Sequence, residues 1–141
     1  MEYKSLLETA WKQTRFSYSP YSGFRVGAAL LADNGKIYTG CNIENISYPA
    51  GNCAERTAFF HAVSEGQFSF RAIAVAGGKG AANQEVETGE YCYPCGICRQ
   101  VMAEFCNPDT FEIVLCNSRQ MEEHTIKIFK LRELLPFAFS F

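Results

Sequence analysis

Residues 71–76, Arg71-Ala72-Ile73-Ala74-Val75-Ala76, form a short apolar run of the kind a buried strand shows. What flanks this run decides the fold. Upstream, residues 53–65 have helical propensity and stop at Gly66. Further upstream Val26, Ala28, Leu30 and Ala32 alternate as a strand, Asp33-Asn34-Gly35-Lys36 is a hairpin turn, and 37–41 returns antiparallel. Downstream comes a long Gly-rich loop over 77–93, then a helix over 96–105 stopped by Asn107-Pro108, then a strand over 111–116. The middle of the chain thus reads β-α-β-α-β, whose crossovers favour parallel neighbours and helices packed on the sheet. A last strand over 125–129 follows a connection of only eight residues, 117–124. A parallel crossover needs about a dozen or more, so this pair is expected to be an antiparallel hairpin. Leu131 to Leu135 is a helical turn ended by Pro136, and 42–52 reads as loop. At the N-terminus Tyr3, Leu6, Leu7, Ala10, Trp11 and Thr14 share one face of a helix over 3–15. The expected fold is α/β: a mixed five-stranded sheet with helices on its faces and an antiparallel C-terminal hairpin.

At 141 residues the chain is the length of one domain, 1–141. With 48% hydrophobic and 20% charged residues it has the composition of a soluble globular protein, which excludes disorder and collagen-like repeats. Thirteen Lys+Arg against fifteen Asp+Glu leave a formal charge of −2, without a basic run that would track a phosphate backbone. No nucleic-acid partner is expected, and a small, weakly charged ligand is the better starting point. The apolar stretches fall far short of the roughly 20 residues a membrane span needs, and Met1-Glu2-Tyr3-Lys4-Ser5 lacks the pattern of a secretory signal. Seven cysteines in such a chain argue for free or metal-bound thiols in a reducing, cytoplasmic setting rather than for disulfides.

Two short pieces carry the chemistry. Cys53-Ala54-Glu55-Arg56 opens one helix, and Pro94-Cys95-Gly96-Ile97-Cys98-Arg99 opens the next. In a βαβα arrangement both helix starts lie at the same end of the sheet, so the three sulfurs can converge. Helix N-termini also favour thiolate over thiol. Zinc at a catalytic site takes three protein ligands and leaves a fourth place for water, which Cys53, Cys95 and Cys98 would satisfy. Three thiolates on Zn²⁺ leave a net −1, and Arg56 is positioned to offset it. Glu55 is the candidate proton acceptor. Residues two apart on a regular helix do not face each other, so this geometry requires Cys53 to sit at the cap. A competing arrangement adds Cys92 to make a closed, structural four-thiolate site. Cys41, Cys106 and Cys116 read as small core residues, and His61 and His124 as surface or packed histidines.

These pieces resemble a family. Cys-Ala-Glu-Arg followed by Pro-Cys-Gly-x-Cys-Arg-Gln resembles the zinc nucleoside deaminases. The flanks Ser19-Pro20-Tyr21-Ser22-Gly23-Phe24-Arg25-Val26-Gly27-Ala28-Ala29-Leu30, Gly40-Cys41-Asn42-Ile43-Glu44-Asn45 and Leu134-Leu135-Pro136 are similar to those of the short, homotetrameric cytidine deaminases. The resemblance covers nearly the whole chain. It implies a three-layer α-β-α sandwich, one Zn²⁺ per chain, and hydrolysis of cytidine and 2′-deoxycytidine to uridine and 2′-deoxyuridine plus ammonia in pyrimidine salvage. It further implies that Glu55 moves protons from water to the ring nitrogen and to the departing ammonia. By the same resemblance Asn42 and Glu44 bind the ribose hydroxyls, Phe24 packs on the nucleoside, and the Ala54 N–H meets the pyrimidine carbonyl. Tyr48 and Phe139 reach a neighbouring subunit's pocket, and Arg56 hydrogen-bonds the thiolates. An amide and a carboxylate at Asn42-x-Glu44 independently suit a pair of vicinal hydroxyls.

The chain departs from the family pattern in two places. Tyr93 stands where a small hydroxyl residue is common before Pro-Cys-Gly, and the preceding loop is long, with Cys92, Glu85, Glu87 and Glu90 on it. Phe137 and Phe141 flank Phe139, so three rings compete for the reach to a neighbour. A deaminase of a cytosine nucleoside antibiotic, as in the blasticidin deaminases, and a non-catalytic structural-zinc module are the alternative readings.

Overall fold

The computed structural model describes residues 3–139. Helix α1 (Lys4–Gln13) leads into a hairpin of strands β1 (Phe24–Ala32) and β2 (Ile37–Cys41). Helix α2 (Ala54–Ser64), strand β3 (Phe70–Lys79), helix α3 (Gly96–Phe105), strand β4 (Glu112–Cys116), strand β5 (Ile126–Lys130) and the short α4 (Leu131–Leu134) follow. The sheet order is β2-β1-β3-β4-β5. The C-terminal pair is antiparallel as expected, with Glu112 opposite Lys130.

The crossovers behave differently from the expectation in one respect. Among the strands of the described residues only β3 and β4 are parallel neighbours. Strand β3 lies against β1, antiparallel, with Phe24 opposite Lys79, so the α2 crossover steps over β1 instead of landing beside β2. Strands β2 and β3 therefore run in the same direction without touching. Both α2 and α3 then begin at the same end of the sheet, as the convergence of the sulfurs requires.

Alternation along the central strands builds the two helix layers. Ile73 and Val75 of β3 join Leu30, Phe59, Met102 and Ile113 in the core under α2 and α3. Ala72, Ala74 and Ala76 face the other way, beneath Leu7, Ala10 and Trp11 of α1. Trp11 and Phe59 are fully buried, and removing either apolar side chain from water stabilises the fold by roughly 3 kcal/mol. Two glycines set how closely the layers approach. A Cβ on Gly27 would stand 2.1 Å from the carbonyl oxygen of Ala10 in α1. One on Gly40 would stand 2.5 Å from the carbonyl oxygen of Ala54 and the nitrogen of Ala58 in α2.

Candidate active site

Cys53 is the N-cap of α2, with extended backbone at φ −78° and ψ 155°. Cys95 caps α3 in the same way, at φ −69° and ψ 168°, and its Sγ accepts the Cys98 N–H at 3.4 Å. The cap position is what lets Cys53 and Glu55 serve one site, because only Ala54 onward follows the helical turn. Sγ of Cys95 lies 3.8 Å from that of Cys53 and 3.5 Å from that of Cys98. Sulfurs arranged tetrahedrally at zinc–sulfur distances of about 2.3 Å are about 3.8 Å apart, so the cluster fits one zinc ion. Cys92 is not in the cluster. Its thiol donates to the Glu90 carbonyl at 3.5 Å, and burial pushes its pKa up to about 12, so it is a neutral thiol beside the site.

The electrostatics favour thiolate at Cys53. The Cys98 thiol hydrogen-bonds to Cys53 and is the largest cause holding Cys53 down at about 5; burial opposes this, and Arg56 and Cys95 reinforce it. The Cys53 thiolate in turn raises Cys98. Arg56 Nη2 donates to Cys53 Sγ at 3.4 Å, so a fixed positive charge stands beside the cluster. Glu55 is 5% exposed, and burial raises its carboxyl to about 7, with the Cys53 thiolate adding to the rise. A carboxylate tuned to that range can take a proton and give it back near neutral pH.

A cavity of about 470 Å³ opens over these groups. Cys53, Cys95, Ala54 and Glu55 line it, and Phe24 and Asn42 close its strand side. Ala54 belongs to the first turn of α2, whose N–H groups have no partner within the helix. A second cavity of about 480 Å³ adjoins through Asn42 and Cys53 and carries Glu44, Tyr48 and Arg56. Asn42 Oδ1 accepts from Ser17 Oγ at 2.5 Å and from the Val26 N–H at 2.9 Å, while its Nδ2 donates to the Phe24 carbonyl at 2.8 Å. Its other amide proton has no partner among the described residues. Glu44 accepts from the backbone of Tyr21 and Ser22 at 3.0 and 3.1 Å and from Ser22 Oγ at 2.5 Å. Burial works to raise the Glu44 carboxyl, and these hydrogen bonds outweigh it and hold the group below its ordinary value.

Phe139 does not join this chain's own site. It lies 67% exposed in a hollow with Arg132 and Leu135. Tyr48, 80% exposed, stands on the rim of the second cavity. Phe141 lies outside the described residues. One group at the site went unread in the sequence: Tyr91, which lines the Glu55 cavity together with Tyr93. The alternation Tyr91-Cys92-Tyr93 running into Pro94-Cys95 was the available signal.

A buried carboxylate beside three sulfurs at paired helix starts is the arrangement of a zinc hydrolase site on an α/β sandwich. Residues 1–113 match the family described as the cytidine and deoxycytidylate deaminase zinc-binding region. The chain is 48% identical to the cytidine deaminase of Sporosarcina psychrophila over 141 residues, covering 99% of this chain and 93% of that one. The cytidine deaminase of Halalkalibacterium halodurans is 44% identical over 99% of this chain and 96% of its own length. Among solved structures, the cytidine deaminase of Burkholderia pseudomallei superposes with a TM-score of 0.82 at 43% identity, over 99% of this chain and all of that one. The chain belongs to the cytidine and deoxycytidylate deaminase family.

Proposed function

We propose that this chain, as one domain spanning 1–141, hydrolyses cytidine and 2′-deoxycytidine to uridine and 2′-deoxyuridine. The C4–N bond breaks, a C4–O bond forms from water, and the amino group leaves as ammonia. The observation that carries the reading is the burial of Glu55 in the same cavity as Cys53 and Cys95.

Cys53, Cys95 and Cys98 would hold the zinc ion, which when bound would supply a Lewis acid that makes water acidic enough to be used near neutral pH. Glu55 accepts a proton from the attacking water and delivers it to the ring nitrogen beside C4; it then takes the proton of the new C4 hydroxyl and passes it to the amine, which leaves as ammonia as the C4 carbonyl forms. Asn42 donates its remaining amide proton to one ribose hydroxyl, and Glu44, held by Ser22, accepts from the other. Phe24 packs on the nucleoside, the Ala54 N–H meets the pyrimidine carbonyl, and Arg56 offsets the charge of the thiolates. These assignments favour a plain nucleoside over a bulkier antibiotic, because Asn42 lines the Glu55 cavity and Glu44 the cavity that adjoins it, so both sugar-binding groups are in place.

The exposed Tyr48 and Phe139 fit a homotetramer in which each reaches a neighbour's pocket. Such an enzyme would act in the cytoplasm, in salvage of pyrimidines. Adding protein to cytidine should lower its near-ultraviolet absorbance, with one zinc per chain by metal analysis and a fourfold mass by light scattering. Full zinc with cytidine and 2′-deoxycytidine both unchanged would refute the activity, and a monomer would refute the assembly.

A further inference from the structure

The segment running into Cys95 carries Tyr91 and Tyr93, and β5 carries Lys127 and Phe129. Each pair is spaced by two, so on extended backbone its members share a side. The two pairs interlock. Lys127 Nζ lies 4.3 Å from the centre of the Tyr91 ring and 6.0 Å from that of Tyr93, and it donates to the Tyr93 hydroxyl at 3.3 Å. The Tyr93 ring packs 5.9 Å from Phe129 and 6.3 Å from Tyr91. One ammonium therefore ties two rings together, and both rings wall the Glu55 cavity opposite Phe24 and Val26.

We propose that Lys127 is a positioning residue for this wall and that Tyr93 determines specificity, excluding substituents on the exocyclic amino group of the pyrimidine. The inference rests on the deaminase reading above. In that reading the sugar lies by Asn42 and the reacting carbon lies between Glu55 and the sulfurs. The amino group then faces the end of the cavity built by the chain that enters Cys95, where Tyr93 stands two residues away. A primary amine leaves as ammonia and needs little room. An alkyl group on that nitrogen must occupy space held by the phenol ring, which contacts on three sides keep from swinging out.

The test compares kcat/KM for cytidine and N4-methylcytidine in the zinc-loaded wild type and in Tyr93→Ser, Lys127→Met and Lys127→Arg. Tyr93→Ser should raise the ratio of N4-methylcytidine to cytidine by about tenfold or more, the scale of one methyl-sized clash. Lys127→Met should move the ratio the same way by a smaller factor. Lys127→Arg, which can still cover the rings and donate to the hydroxyl, should stay near wild type. A purely structural role would lower both rates together and leave the ratio still. A ratio unmoved in both Tyr93→Ser and Lys127→Met, with cytidine still turned over, overturns this inference alone. A wild type inactive on cytidine overturns the deaminase reading and this one with it. Lys127 is exposed, so its substitution leaves the core intact and carries the test if Tyr93→Ser fails to fold.

Discussion

Gly40 of β2 lies directly beneath Ala54 of α2, so close that a Cβ at position 40 would stand 2.5 Å from the Ala54 carbonyl oxygen. The neighbour is helix backbone, so it cannot swing aside. Gly40→Ala must push away the helix turn that presents Cys53, Ala54 and Glu55. Overpacking of this kind costs about 1–3 kcal/mol. Gly27→Ala makes a still tighter clash, 2.1 Å from the Ala10 carbonyl oxygen, but with α1 on the opposite layer. Thermal unfolding should show both variants destabilised, while kcat of the folded protein falls for Gly40→Ala and holds for Gly27→Ala. Equal kcat losses would mean the site is insensitive to where α2 sits.

Glu55→Gln keeps the size of the side chain and removes its proton chemistry. In the proposed reaction two proton transfers depend on this carboxylate, and each is worth about 10²–10⁴ in rate. The variant should retain one zinc and the fold while losing several orders of magnitude in kcat. Burial raises Glu55 to about 7 from an ordinary 4.5, so in the folded state its ionised form is penalised and stability drains away as pH climbs from 4.5 through 7. Glutamine escapes that penalty. Calorimetry at pH 8 should find the variant at least as stable as wild type, with the difference closing below pH 4.5. Near-normal turnover would remove Glu55 from the mechanism.

Arg56→Gln removes the positive charge beside Cys53 Sγ without touching a sulfur. Loss of such a supporting partner weakens metal binding by about 10–100-fold. Competition against a zinc chelator should show this loss, and added zinc should restore activity. Unchanged zinc affinity would reduce Arg56 to a packing role.

Cys92→Ser distinguishes a three-sulfur site from a closed four-sulfur one. The thiol of Cys92 is spent on the Glu90 carbonyl, outside the cluster of Cys53, Cys95 and Cys98. The variant should hold one zinc per chain and keep cytidine turnover within a few-fold. Stoichiometric loss of zinc would make Cys92 a ligand.

Arg119 clamps the long loop to α1. Its two terminal nitrogens bond both carboxylate oxygens of Glu8 at 2.7 and 2.9 Å, and one also reaches Glu85 at 2.9 Å. The Arg119 hydrogen bond is the largest cause holding Glu8 below its ordinary 4.5. A depressed carboxyl stabilises the fold above 4.5 and loses that contribution as pH falls through the lowered folded value. Arg119→Met should cost about 1 kcal/mol at pH 7, the scale of a partly exposed pair. Urea unfolding at pH 7, 5 and 3.5 should show the gap to wild type narrowing with acid. A gap independent of pH would assign the loss to packing of the stem.

Much of this was legible in local pattern. The 26–32 alternation, the Asp33-Asn34-Gly35-Lys36 turn and the eight-residue link before β5 each dictate a neighbour by short-range geometry. The capping position of Cys53 is a condition the site imposes and not one the local pattern shows; the structure supplies it. Pairing between distant strands has no such local signature. Nothing in Arg71–Ala76 announces that its partner is β1, nor that Gly77–Lys79 continue the strand opposite Phe24–Val26. Glycines there read as loop because their low strand propensity hides a ladder fixed by tertiary contact. The 77–93 stretch likewise reads as a long loop. Val86 is nevertheless fully buried, with its N–H donated to Thr14 Oγ1 at 2.9 Å, and Gly89 lies against the Trp11 ring. Its role as a cavity wall depends on Lys127 and Phe129, more than thirty residues away.

The sulfurs that would hold zinc come from helix starts forty-two residues apart in sequence. An ion seated there would tie α2 to α3 like a cross-link, and by binding the folded arrangement of three sulfurs more tightly than the unfolded chain it would shift the unfolding equilibrium by mass action. Cells short of zinc would therefore not merely idle this protein. They would leave it easier prey for proteases, so that its abundance, and not only its turnover, would track the supply of the metal.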